Sequence, residues 1–158
     1  MRKIKQVSEF QIFDNLEELE EIEKKLIQIS IEAAKKAYAP YSNFRVGAAV
    51  LLENGEILSG NNQENASYPV GICAERTLLS YANANFPNQK KIKLAISVLD
   101  SDQTVSPCGL CRQTLLEYET SQNQPIEIFL HNRKGKVLVI PTAASLLPLY
   151  FDKESLIN

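Results

Sequence analysis

Phe44-Arg45-Val46-Gly47-Ala48-Ala49-Val50-Leu51-Leu52-Glu53-Asn54-Gly55-Glu56-Ile57-Leu58-Ser59-Gly60-Asn61 reads as two apolar runs around an Asn-Gly pair. Asn-Gly at that place is a strong hairpin signal, so residues 44–52 and 56–61 are expected to pair as strands. Downstream, residues 73–86 read as a helix with Thr77, Leu78, Leu79 and Ala82 on its apolar face, and 92–99 as a buried strand. Pro107 then precedes a second helix over 108–119. Strands at 126–131 and 136–140 follow, joined by Arg133-Lys134-Gly135, and a short helix over 142–147 is stopped by Pro148. Upstream, Leu16, Leu19, Ile22, Leu26, Ile29, Ala33 and Ala37 keep helical spacing, with Asp14 or Asn15 as N-cap and the end set before Pro40. Residues 1–15 form an extension in which Ile4, Phe10 and Ile12 alternate, compatible with an added edge strand. Strands interleaved with helices predict an α/β fold, a three-layer α/β/α sandwich around a mixed five-stranded sheet, as a single domain over 1–158.

Composition narrows the function classes. The chain has 158 residues, 44% of them hydrophobic, enough for one sizeable core. Its formal net charge is −2, whereas a grip on phosphates needs clustered Lys and Arg, so no nucleic-acid partner is expected. Met1-Arg2-Lys3-Ile4-Lys5 is basic, but no apolar run follows it and no membrane span appears. Three cysteines without a secretory signal point to the reducing cytoplasm, where thiols serve as ligands or nucleophiles.

Those cysteines carry the chemistry. They stand in Cys73-Ala74-Glu75 and in Pro107-Cys108-Gly109-Leu110-Cys111. Three thiolates at this spacing suit zinc and leave its fourth position open, as a catalytic site requires. Each cysteine falls at a predicted helix N-terminus, where free N–H groups and the helix dipole favour thiolate over thiol. Two blander readings stand beside this one. Cys-x-x-Cys alone is also a redox motif, and a structural zinc site needs a fourth ligand, for which the single histidine, His131, is more simply an ordinary sheet residue. The Glu17–Glu23 acidic cluster followed by Lys24-Lys25 reads as the wet face of a helix.

Asn62-Gln63-Glu64-Asn65-Ala66-Ser67-Tyr68-Pro69-Val70-Gly71-Ile72-Cys73-Ala74-Glu75-Arg76-Thr77, together with Ser106-Pro107-Cys108-Gly109-Leu110-Cys111-Arg112-Gln113, closely resembles the small homotetrameric cytidine deaminases. The likeness runs over residues 38–151 and takes in Phe44–Ala49 and Leu146-Leu147-Pro148; the first 15 residues or so lie outside it. It implies one zinc per subunit on Cys73, Cys108 and Cys111, hydrolysis of free cytidine and deoxycytidine to uridine and deoxyuridine with release of ammonia, and a place in pyrimidine salvage. In that chemistry zinc lowers the pKa of its water from about 15.7 towards about 7. Glu75 takes the proton, passes it to ring nitrogen 3 and helps the amine depart. Arg76 is implied to offset the charge of three thiolates by donating to cysteine sulfur.

The same resemblance supplies substrate contacts. Asn62 and Glu64 would grip the ribose 3′-hydroxyl, and Phe44 would stack on the pyrimidine. The Ala66 backbone would meet the base edge, and the Ser106 carbonyl would accept from the amino group. Tyr68 and Phe151 would reach a neighbouring subunit's site, with Tyr150 beside Phe151 as the alternative aromatic. Ser67 replaces a cysteine common in the family and touches no assigned role. A zinc deaminase with a shifted substrate and a silent zinc protein are the competing readings; Asn62-Gln63-Glu64-Asn65 argues against the first and Glu75 against the second.

Overall fold

Residues 46–61 form the hairpin that Asn54-Gly55 predicts, as β2 (Val46–Leu52) and β3 (Ile57–Asn61). Its turn has three residues: the Gly55 N–H donates to the Leu52 carbonyl at 2.9 Å, and Gly55 takes a φ of 88°, which a side chain would resist. The computed structural model describes residues 1–156. Around the hairpin stand β1 (Gln11–Phe13), α1 (Glu21–Ala34), α2 (Ala74–Asn85), β4 (Lys91–Val98), α3 (Gly109–Gln122), β5 (Glu127–His131) and β6 (Val137–Ile140). Short 3-10 turns cover Leu16–Glu18, Tyr68–Val70, Ala143–Leu146 and Lys153–Leu156.

The sheet has six strands in the order β1-β6-β5-β4-β2-β3, one more than the five expected. The sixth is β1, the alternating segment of the extension, whose Ile12 sits opposite Leu138 on the open edge of β6. Among the described strands only β4 and β5 pair in parallel, and that pairing needs a crossover, which α3 supplies. The sheet is therefore mixed, as expected.

The long amphipathic helix expected from Leu16 is interrupted. Asn15 accepts from the Glu17 N–H and forms a capping box with Glu18, so a separate 3-10 turn ends at Leu19. A second capping box, Glu20 with Glu23, then starts α1. Two caps within six residues each satisfy their own free N–H groups, and helical spacing alone does not reveal such a break.

Two cores lie on opposite faces of the sheet. Along β4 the side chains alternate: Ala95 faces α1 with Leu26, Ile27, Ala49 and Phe129, while Leu94 and Ile96 face α2 and α3 with Leu78, Leu79, Leu115 and Ile128. The α1 layer comes unusually close. A Cβ on Gly47 would lie 2.0 Å from the Ser30 carbonyl oxygen and 2.4 Å from the Ala34 nitrogen, so the contact requires glycine. Buried His131 ends β5 with its Nδ1 unpartnered among the described residues, and burial lowers its pKa. No described helix is long and apolar enough to cross a membrane.

Candidate active site

Cys73 and Cys108 are the extended residues immediately before α2 and α3, and buried Cys111 lies in the first turn of α3. The two helices thereby bring three sulfurs within 4.8 Å of one another. Cys108 Sγ lies 3.8 Å from Cys73 Sγ and 3.5 Å from Cys111 Sγ. A tetrahedral zinc with bonds near 2.3 Å sets its sulfurs about 3.8 Å apart, so the donor set fits that ion both in chemistry and in spacing. No histidine joins this cluster among the described residues.

The electrostatics divide the thiols. The Cys111 thiol beside it, with help from Cys108 and the charge of Arg76, pulls the Cys73 pKa down to about 6 against the effect of burial. Cys111 is pushed up in turn by Cys73 and by burial. Glu75, second residue of α2, is buried; burial raises its pKa, and the neighbouring Cys73 adds to that effect. Arg76 is half-buried and acts on Cys73 through its charge; among the described residues it donates no hydrogen bond to a sulfur.

A cavity of about 200 Å³ opens beside the thiols. Phe44, Asn62, Cys73, Glu75, Ser106 and Cys108 line it, with Val46, Ile96 and Val98 as apolar floor. Asn62 is already engaged: its Oδ1 accepts from the Val46 N–H and its Nδ2 donates to the Phe44 carbonyl, both at 2.9 Å. These bonds fix the start of β2, and with it Phe44. Arg45, between them, points to Asp100, which accepts from its Nε at 3.0 Å, its Nη2 at 2.7 Å and its backbone N–H at 2.8 Å.

The remaining sequence-predicted residues lie outside this cavity. Glu64 lines a neighbouring cavity of about 320 Å³ with Tyr41, Ser42, Asn65, Tyr68 and Gly71. Its carboxylate accepts from the Tyr41 N–H at 2.9 Å, the Ser42 N–H at 3.2 Å and the Ser42 hydroxyl, and these bonds lower its pKa, the hydroxyl most. Tyr68 is 76% exposed, Phe151 58% and Tyr150 48%, aromatic surface that this single chain leaves uncovered. Ala66 is exposed as well. Sequence reasoning gave no role to Asp100, which accepts from Arg45, or to Arg112, which donates to the Pro107 and Leu146 carbonyls and the Ser106 hydroxyl. The signals for Arg112 were its place directly after Cys111 and inside the segment that carries the resemblance.

A mixed sheet with three thiols clustered at the first turns of two of its helices, and a buried carboxylate two residues after the first thiol, defines an α/β protein with a candidate metal site. The model of the cytidine and deoxycytidylate deaminase zinc-binding region matches residues 20–124. The cytidine deaminase of Sporosarcina psychrophila is 42% identical over 133 residues, covering 84% of this chain and 93% of its own. That of Halalkalibacterium halodurans is 39% identical over 132 residues, covering 83% and 95%. The crystal structure of cytidine deaminase from Burkholderia pseudomallei superposes with a TM-score of 0.73 at 40% identity, covering 80% of this chain and 97% of that one. The chain belongs to the cytidine and deoxycytidylate deaminase family and is, with it, a hydrolase.

Proposed function

We propose that this chain hydrolyses free cytidine and deoxycytidine to uridine and deoxyuridine, releasing ammonia, as a zinc-dependent enzyme of pyrimidine salvage. The observation that carries the reading is the meeting of three thiols, buried Glu75 and the Phe44–Asn62–Ser106 wall around one small cavity. Cys73, Cys108 and Cys111 would hold one zinc per subunit, which when bound supplies Lewis-acid activation of water. Glu75 takes the proton that water gives up, hands it to ring nitrogen 3 as oxygen adds to carbon 4, then takes the second proton from that oxygen and gives it to the amino group as the carbon–nitrogen bond breaks. Cytidine and water thus become uridine and ammonia. Phe44 stacks on the ring, and the Ser106 carbonyl accepts from the amino group. Asn62 keeps one N–H and one lone pair for the sugar. Glu64, which accepts three loop hydrogen bonds, keeps one acceptor site for the 3′-hydroxyl, with the Ala66 backbone at the base edge. Arg76 tempers the charge of the thiolates.

The exposed aromatics Tyr68 and Phe151, or Tyr150 in its place, support a homotetramer in which each site borrows from a neighbour. The cytoplasm is the compartment that suits three free thiols. The test is ammonia release from cytidine and deoxycytidine by purified protein, with zinc counted in the same sample. Turnover with one zinc per chain is expected. One zinc without turnover on either nucleoside refutes the substrate assignment.

A further inference from the structure

We propose that Arg112 is a positioning residue that holds the Ser106-Pro107 wall of the cavity in place; its kinetic consequence rests on the deaminase reading, while its structural consequence does not. Residues 99–108 connect β4 to α3 without regular structure. Among the described residues, every hydrogen bond made to 104–107 comes from one side chain: Arg112 Nε donates to the Pro107 carbonyl at 2.8 Å and Nη2 to the Ser106 hydroxyl at 3.0 Å. Nη1 donates to the Leu146 carbonyl at 3.1 Å, so the guanidinium anchors the loop to the 3-10 turn after β6. That turn is itself fixed to α3, because Glu119 accepts from the N–H groups of Ala143 at 2.7 Å and Ala144 at 3.3 Å and from the Thr142 hydroxyl. Glu119 and Arg112 thus hold the two ends of the turn from one helix.

The helix by itself gives no reason for arginine at this position. A cation in the first turn opposes the helix dipole, and α3 carries no acidic residue there to offset it. The planar guanidinium spreads its donors in a fixed fan, which lysine cannot reproduce. Its three acceptors are spread over two segments, and one of those segments directly precedes Cys108. With the Ser106 hydroxyl and Pro107 carbonyl tied back, the carbonyl of Ser106, a residue that lines the cavity, accepts no hydrogen bond among the described residues.

Arg112→Lys keeps the charge and removes the fan. Two readouts on the purified protein separate the ideas: limited proteolysis across 99–108 by a protease of broad specificity, and the kinetics of cytidine deamination with zinc counted. Cleavage within that segment should be about tenfold faster while α3 stays uncut. KM for cytidine should rise about tenfold, with kcat altered less than about threefold and zinc retained. Ser106→Ala, which removes one acceptor and leaves the guanidinium, should move cleavage in the same direction by a smaller factor, and it serves as the test should Arg112→Lys fail to fold. Cleavage within about twofold of the parent in the folded variants overturns the proposal, whatever the kinetics do. If the parent protein releases no ammonia from cytidine, the deaminase reading falls and cleavage alone decides the role of Arg112.

Discussion

Gly47→Ala is the substitution whose cost can be worked most directly from the coordinates. The added methyl would meet the Ser30 carbonyl oxygen at 2.0 Å, the Ala34 nitrogen at 2.4 Å and the Ala34 Cα at 2.9 Å. Ordinary contact begins at 3.4 Å, so α1 would have to retreat by about 1.4 Å at that crossing. All three atoms are backbone, and no side chain can swing aside. The same helix buries Leu26, Ile27 and Ala34 completely, and a retreat opens space beside each of them. Overpacking ordinarily costs about 1–3 kcal/mol, and a backbone clash belongs at the upper end. For a chain of this size, about 3 kcal/mol corresponds to a fall in Tm of about 6–12 °C. Thermal unfolding followed by circular dichroism measures it. A variant melting within about 2 °C of the parent would refute the argument that α1 is pinned to β2 by this contact.

Glu75→Gln should keep zinc and Tm while lowering kcat by about 10²–10⁴-fold, the usual worth of a positioned proton carrier; more than a tenth of parental ammonia release would sink that role. Burial depresses the pKa of His131 in the folded state, so the unfolded chain binds the extra proton first. Stability should therefore be complete above about pH 6.5 and decline as pH falls below it, by at most about 1.4 kcal/mol per unit from this group. Denaturant midpoints between pH 7 and 5 measure this, and a slope equally steep in His131→Gln assigns it elsewhere. Mixing Glu75→Gln with Tyr68→Ala subunits after dissociation should restore part of the activity, because some mixed sites then hold an intact Glu75 and a neighbour's intact Tyr68. No recovery in assemblies proven by mass to be mixed removes the shared site.

The hairpin was legible because Asn54-Gly55 between apolar runs carries both a turn and a register, and the thiol cluster because helix starts and cysteine positions are both local signals. What escaped depends on partners distant in sequence. The alternation of Phe10 and Ile12 announces an edge strand in the extension, but not its partner, the open edge of β6 more than a hundred residues away. The break before α1 turns on a second cap, Glu20 with Glu23, which looks like surface charge. Asn62 and Glu64 stand where the resemblance places them in sequence, yet their polar atoms are engaged with the Phe44–Val46 and Tyr41–Ser42 backbones, which no local pattern announces. Arg112 serves a loop on one side and a turn after β6 on the other, so neither neighbourhood alone explains it.

The two cores on opposite faces of the sheet divide the labour of the molecule. No residue of α1 lines the cavity beside the thiols, whereas the opposite layer contributes Cys73, Ala74, Glu75 and Cys108 to it or to its rim. The α1 layer is thus free to drift in sequence so long as its volume and its close seat on Gly47 survive. Redesign for robustness has room there, and changes that fill or stiffen that side should leave the chemistry of the other untouched.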